Sequence, residues 1–399
     1  MAAPARMDVV CLSSQDWNAH LTVPQQIMAR VAADHRVLYI DPPRSLTSAA
    51  LSGWVPPPPG EARHMDMAAA RDVVRRSPPG RAVPIHNLPP VLSAAARRVN
   101  GLALRSWFRR TMAGEGIEAP VYWVFEPASV QHLPHLPPGP LIYDCIDLWA
   151  GYFPEGSRRH RNIAAMDLAL ATRADLVFVG SEMLRRLHEG KAGGPVHLQH
   201  HAADFALFNR AAAPDYPVAP ALAERLTAGR TVVGLCGILD KRVDVGSLAA
   251  IAGRRPDWLL VLVGPVQRNL DIAALEACEN VAMIGAVAPG ELPGFVRGFD
   301  VCLIPYLIDD FVRGIYPLKL HEYLAAGKPV VSTPVPAVLQ YADRIEIAEG
   351  ADGIEAAILR ALADDAPDRA AGRIALARAN GWDVRVAEKL RIVRETFAR

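Results

Sequence analysis

Apolar runs of strand length, each closed by a glycine, a proline or an acid, alternate along the chain with segments whose apolar residues return at helical spacing. The N-terminal half predicts strands at Asp8 to Ser13, Arg36 to Ile40, Val121 to Phe125, Leu141 to Tyr143, Leu176 to Val179 and near Val196 to His200. Helices are predicted from about Pro24 to Ala33 and from Arg158 to Ala171, with Ser181 capping the next. The pattern restarts at Thr231 to Cys236 and continues with strands at Trp258 to Val263, Val281 to Ile284, Val301 to Pro305 and Val330 to Ser332. A closing helix, Val384 to Thr396, carries Val386, Leu390 and Val393 on one face. Strand, helix, strand repeated in this way predicts an α/β fold with parallel sheets. No apolar run approaches the roughly 18 to 20 residues that a membrane span requires.

At 399 residues and 51% hydrophobic, the chain can bury two cores of ordinary size. The turn-rich stretch ending at Ala213 marks the expected break, giving domains 1–213 and 214–381, with helix 382–399 returning to the first and Trp382 placed to anchor it. Residues 45–90 are proline-rich and read as a long insertion with little regular structure, followed by a helix from about Val91 to Met112. The N-terminal segment lacks the apolar core of a signal peptide, so a cytoplasmic protein is expected.

Charge and cysteine usage refine this. The net charge is only +1, and no nucleic acid partner is expected. The arginines are nonetheless clustered: Val73 to Gly114 holds eight (Arg75, Arg76, Arg81, Arg97, Arg98, Arg105, Arg109, Arg110) and no acid. Leu102, Leu104, Trp107 and Phe108 interleave with them, which suits an anionic lipid surface or a polyprenyl diphosphate as well as a solvated arginine face. Cys11, Cys145, Cys236, Cys278 and Cys302 lack CxxC spacing and read as small core residues rather than metal ligands or disulfide partners. The histidines form no HExxH, and His200 and His201 would point apart on a strand, so no metal site is expected.

The richest stretch for chemistry is Gly314 to Thr333, GIYPLKLHEYLAAGKPVVST. It predicts a short helix opening at Pro317 and ending at Gly327, with Leu318, Leu320, Tyr323 and Leu324 toward a core. Lys319 and Glu322 then share a face at the helix N-terminus, where backbone N–H groups and the dipole favour an anion. On spacing alone they could equally be an ordinary i, i+3 surface pair. Gly237 follows the first strand of the second half and would let a phosphate approach the backbone, with Lys241 or Arg242 to neutralise it or to face solvent. Glu126, Asp144 and Asp147 follow strands of the first half. Asp147 is a candidate general base, or else a helix cap.

The Gly314 to Thr333 block, with the strand before it, resembles the nucleotide-sugar site of two-domain GT-B glycosyltransferases, especially family 4-like retaining enzymes with a Glu-x7-Glu pattern and their relatives in bacterial polysaccharide assembly. The later Glu matches Glu322, whereas the earlier one falls on Gly314. Around Asp147, YDCIDLW resembles the acceptor-activating loop of polysaccharide glucuronosyltransferases of the same fold. The resemblance implies two doubly wound Rossmann-like domains facing across a cleft. It implies donor contacts at Gly237, Lys241, Arg242, Ala286, Val287, Tyr306, Pro317, Leu318, Lys319 and Glu322, where Ala286 and Val287 would meet the base and Tyr306 would close over the donor. The implied reaction moves a hexose-type sugar from a nucleoside diphosphate sugar, UDP being the expected nucleotide, to a hydroxyl of a lipid-linked saccharide or similar acceptor. Asp147 and Lys319 would carry it with no metal and no cofactor. The alternative on the same fold is a nucleotide-sugar or carbohydrate binding protein without turnover, or a sugar-nucleotide epimerase.

Overall fold

Among the described residues, thirteen strands fall into two sheets, and every pairing within them is parallel. The computed structural model describes residues 6–17, 22–42, 73–76, 102, 105–226 and 229–398. In the first half lie β1 (Asp8–Leu12), β2 (Arg36–Ile40), β3 (Val73–Arg76), β4 (Pro120–Val124), β5 (Leu141–Cys145), β6 (Leu176–Val179) and β7 (Val196–Leu198). Their order is β3-β2-β1-β4-β5-β6-β7. The second half contributes β8 (Thr231–Cys236), β9 (Trp258–Val263), β10 (Val281–Gly285), β11 (Val301–Ile304), β12 (Val330–Ser332) and β13 (Glu346–Ile347), in the order β10-β9-β8-β11-β12-β13. Both orders are doubly wound. The chain reverses its direction of travel between β1 and β4 in one sheet and between β8 and β11 in the other, and such switch points open a crevice at the carboxyl ends of the strands.

These strands form because their side chains are apolar on both faces, as a sheet covered by helices on both sides demands. All six residues of β9 are buried, as are all five of β4 and of β5. Each fully buried Val, Leu, Ile or Phe contributes about 1.5–3 kcal/mol of transfer free energy. Polar caps set the helix starts. Ser157 Oγ accepts from His160 N at 3.1 Å to open helix Arg158–Arg173, Ser181 Oγ accepts from Leu184 N at 3.4 Å, and Asp244 Oδ1 accepts from Ser247 N at 3.0 Å.

The chain divides into two compact units, Met1–His200 with Val386–Arg399, and His201–Arg385. The sequence reading put the break at Ala213. The segment after His200 belongs with the second unit because Phe208 and Ala211 are buried in that unit's core. Helix Trp382–Phe397 changes allegiance along its length: Trp382 N donates to Ala203 O in the second unit, whereas Val386 onward counts with the first.

Two further features depart from expectation. β3 lies inside the stretch read as irregular and pairs with β2 in the register Val37 with Val73; the rest of that stretch, Arg81 included, and the expected helix as far as Arg97 and Arg98, fall outside the described residues. Phe108, offered to a lipid surface, is buried in the first unit's core beside Met112, while Arg105, Arg109 and Arg110 on the same helix (residues 105–114) are exposed. Helical spacing explains it, since Phe108 and Met112 are four apart and point the same way. Among the described residues, no helix is long and apolar enough to cross a membrane.

Candidate functional site

The switch point of the second sheet brings together the loop after β8, the loop after β11 and the start of helix Leu318–Ala325. The two loops are zipped: Asp244 N donates to Pro305 O at 2.8 Å and Leu307 N to Arg242 O at 2.7 Å. Tyr306 N donates to Thr333 Oγ1 at 3.0 Å, tying in the end of β12. The helix is fastened from beneath, where Cys236 N, at the end of β8, donates to the Tyr323 hydroxyl at 2.8 Å.

Gly237 takes a φ of +128°, and a Cβ there would lie 2.9 Å from the Lys319 ammonium. Glycine is required twice over, by backbone angle and by the lysine's approach. Gly264 stands behind it with φ +144°, and a Cβ there would meet Gly237 O at 2.0 Å.

Helix Leu318–Ala325 differs from the expected amphipathic element. Pro317 is its N-cap rather than its first residue, and Lys319, Leu320, His321, Tyr323, Leu324 and Ala325 are all buried. Leu318, expected in the core, is half-exposed together with Glu322. Residues four apart share a helix face, so Leu318 and Glu322 mark the open one. The Lys319 ammonium lies 5.0 Å from the centre of the Tyr306 ring. Among the described residues, neither that ammonium nor the Glu322 carboxylate has a hydrogen-bond partner. Burial pushes the Glu322 carboxyl up to about 7; Lys319 pulls it down in part and Asp204 adds to the rise. A buried cation and a carboxylate left without partners on one turn are what a site for an anion beside a diol requires.

Tyr306 is buried, with the Lys319 ammonium 5.0 Å and the Arg242 guanidinium 5.5 Å from its ring centre. Arg242 also grips Asp240, Nε to Oδ1 at 2.8 Å and Nη2 to Oδ2 at 2.5 Å. Burial alone would raise the Asp240 carboxyl, but the Arg242 hydrogen bonds and charge, with Lys319, outweigh it and hold it below the ordinary range. The exposed Lys241 sits with its ammonium 5.6 Å from the Phe311 ring centre. Ala286 and Val287 follow β10, the edge strand, where Gly285 O accepts from Gly264 N at 2.8 Å.

Sequence reasoning placed Tyr323 in the core but passed over its hydroxyl, over Asp240 and over a buried chain in which the Tyr316 hydroxyl meets His321 Nε2 at 2.6 Å and the Tyr341 hydroxyl at 2.9 Å. The signal for Asp240 was its place two residues before Arg242; Tyr341 gave none. Gly314, where the resemblance called for a carboxylate, is a buried glycine ending helix Asp310–Gly314.

In the first unit, Asp147 lies two residues beyond β5, half-buried, its carboxylate accepting from the Tyr152 hydroxyl at 2.9 Å. It is not a side-chain cap, since the short helix Trp149–Tyr152 has none. Asp144, expected at the sheet edge, is instead locked inside: Lys389 Nζ donates to both its oxygens at 2.7 and 2.8 Å and Trp123 Nε1 donates at 3.1 Å. Glu126 follows β4 beside the first sheet's switch point, and burial pushes its carboxyl up to about 7.

Comparison with known proteins fits this geometry. Residues 230–364 match the family model described as glycosyl transferases group 1. A protein of Bacillus subtilis (strain 168), described as the teichuronic acid biosynthesis glycosyltransferase TuaH, is 32% identical over 209 residues, or 49% of this chain and 51% of its own. The chain thus spans about half the length of that curated relative. Among solved structures, sucrose-phosphate synthase of Thermosynechococcus elongatus superposes with a TM-score of 0.70 at 19% identity, covering 98% of this chain and 100% of the other. Anabaena HepE in complex with UDP and glucose gives 0.64 at 14% identity, covering 98% and 100%. An E. coli trehalose-6-phosphate structure bound with UDP-2-fluoro glucose gives 0.66 at 13%, covering 97% and 99%. At these identities the likeness is one of fold, and the fold is α/β with two Rossmann-like domains, as the GT-B resemblance implied.

Proposed function

We propose that the chain is a GT-B glycosyltransferase that moves a hexose-type sugar from a UDP-sugar to a hydroxyl of a lipid-linked saccharide or similar acceptor in bacterial polysaccharide assembly. The observation that carries this reading is the turn Lys319 to Glu322, with its buried ammonium and partnerless carboxylate at a helix N-terminus on the switch point of the second sheet. The family match over that unit supports the donor half, as do the UDP and UDP-2-fluoro glucose held by two fold neighbours.

In this reading the negative charge that builds on the leaving diphosphate is met by Lys319 and the helix N-terminus, with Arg242 as the second cation. Gly237 gives the diphosphate backbone access, and Glu322 accepts two hydrogen bonds from the ribose diol. Ala286 and Val287 offer main-chain groups to the base, and Leu318 and Pro317 shape the open face of the helix. Asp147 takes the acceptor proton. Protein cations supply the charge stabilisation, so no metal is assigned to the transfer step. The exposed Arg105, Arg109 and Arg110 are the surface we assign to an anionic membrane or acceptor, on the cytoplasmic side.

Calorimetry and thermal shift test the donor site. UDP is expected to bind the wild type and raise its melting temperature, and Lys319→Ala to bind at least about tenfold more weakly, the scale of one lost charge-assisted contact. Equal affinity in the variant would remove the assignment. Release of UDP from a UDP-sugar only when an acceptor is supplied separates a transferase from a binding protein or an epimerase.

A further inference from the structure

Away from the donor site, three residues distant in sequence converge in the first unit. Cys145 ends β5, Asp167 lies in helix Arg158–Arg173, and His188 is the last residue of helix Glu182–His188. All three are buried, and one donor atom from each lies within 4.8 Å of the other two. His188 Nε2 stands 3.3 Å from Asp167 Oδ2, and Cys145 Sγ stands 3.9 Å from Asp167 Oδ1. Among the described residues, neither ring nitrogen of the fully buried His188 makes a hydrogen bond. The Tyr143 hydroxyl donates to Asp167 Oδ1 and so orients the carboxylate from outside the trio.

We propose that Cys145, Asp167 and His188 form a structural site for a zinc-like divalent ion. Thiolate, imidazole and carboxylate are zinc's usual donors, and with bonds of about 2.0–2.3 Å a tetrahedral ion spaces neighbouring donors by roughly 3.3–3.7 Å. The 3.3 and 3.9 Å contacts run to different oxygens of Asp167, and a set with one donor atom from each residue, within 4.8 Å, reaches the tetrahedral spacing by an inward movement of about 1 Å. Charge balance argues the same way. On binding a divalent ion the Cys145 thiol would give up its proton to solvent, and a thiolate, a carboxylate and a neutral imidazole ligand with the ion sum to zero, the condition a buried site needs. Tyr143 is the outer partner that fixes the ligating carboxylate. Bound metal would tie β5 to two helices, and because Cys145 Sγ also lies 3.5 Å from Asp147 O, it would set the start of the loop carrying Asp147.

The test uses the full-length chain without a histidine tag. Elemental analysis after expression in zinc-supplemented medium is expected to find stoichiometric zinc. Chelation should lower the melting temperature, and ZnCl2 should restore it. Reconstitution with Co²⁺ is expected to give a thiolate-to-cobalt charge-transfer band that survives Cys278→Ala and disappears in Cys145→Ser. Trace zinc only, a cobalt spectrum without the charge-transfer band, or a band that persists in Cys145→Ser would each overturn the proposal. Should Cys145→Ser fail to fold, the wild-type cobalt spectrum decides, with His188→Gln as the second variant expected to lose stoichiometric metal.

Discussion

Each unit buries a lysine, and the two lysines are provided for in opposite ways. Lys389, in the first unit, is almost wholly enclosed, grips both oxygens of Asp144 and lies 4.3 Å from the centre of the Phe178 ring. Lys319, in the second, faces the Tyr306 ring with Glu322 and Asp240 in its field and, among the described residues, makes no hydrogen bond. A buried ammonium clasped by a buried carboxylate is part of the architecture. One with its protons unspent signals a ligand whose oxygens complete it. Lys328 shows what the second unit does when a lysine is structural: its ammonium donates to Arg297 O at 3.0 Å and Phe299 O at 2.7 Å.

The contrast can be broken by exchanging consequences. Lys389→Ala strands the Asp144 carboxylate in the core and is expected to cost about 3–5 kcal/mol, read by urea unfolding of the first unit. UDP affinity of the folded fraction should not change, and pairing Lys389→Met with Asp144→Leu should return most of the loss. Lys319→Ala is the mirror image: UDP binding weakens by about 1.4 kcal/mol or more and transfer is lost, while unfolding free energy stays within about 1 kcal/mol of wild type. If Lys319→Ala unfolds the protein as Lys389→Ala does, the two lysines are alike and the ligand site is lost.

Glu322 sharpens the contrast through pH. Its folded pKa of about 7 lies above the ordinary 4.5, so between those values the folded chain holds more proton than the unfolded one. Its contribution is whole below about pH 4.5 and is lost as pH rises to about 7. Glu322→Gln should flatten that fall by about 1–2 kcal/mol, allowing for its partly exposed side chain. The residual slope would come from Glu126, which is raised in the same sense. Gly237→Ala should have the smallest effect, costing about 1 kcal/mol of stability for the positive φ and weakening UDP a few-fold by displacing the Lys319 ammonium.

The sheets were legible because buried parallel strands are written as apolar runs, and β8, β9 and β11 could be read almost to the residue. The turn Lys319 to Glu322 was legible because a proline, a lysine, a glutamate and a glycine mark it within a dozen positions. What escaped the sequence was pairing at long range. Asp144 read as an edge carboxylate and Lys389 carried no reading, because the 245 positions between them hide their ion pair. Lys319 read as sharing an exposed face with Glu322, but close packing on Gly237 and Tyr306 turned it inward and left Leu318 outside. Cys145, Asp167 and His188 follow no ligand spacing because each comes from a different element.

The Lys389 clasp also dictates an order of events during synthesis. Asp144 belongs to the fifth strand of the first sheet, yet its counter-ion follows 245 positions later, after the whole second unit has been made. Until Lys389 emerges, the first unit must keep that carboxylate hydrated or protonated. The half begun first is therefore completed only after the other has been synthesised, and cutting the chain before Val386 would unsettle residues far upstream while leaving His201–Arg385 intact.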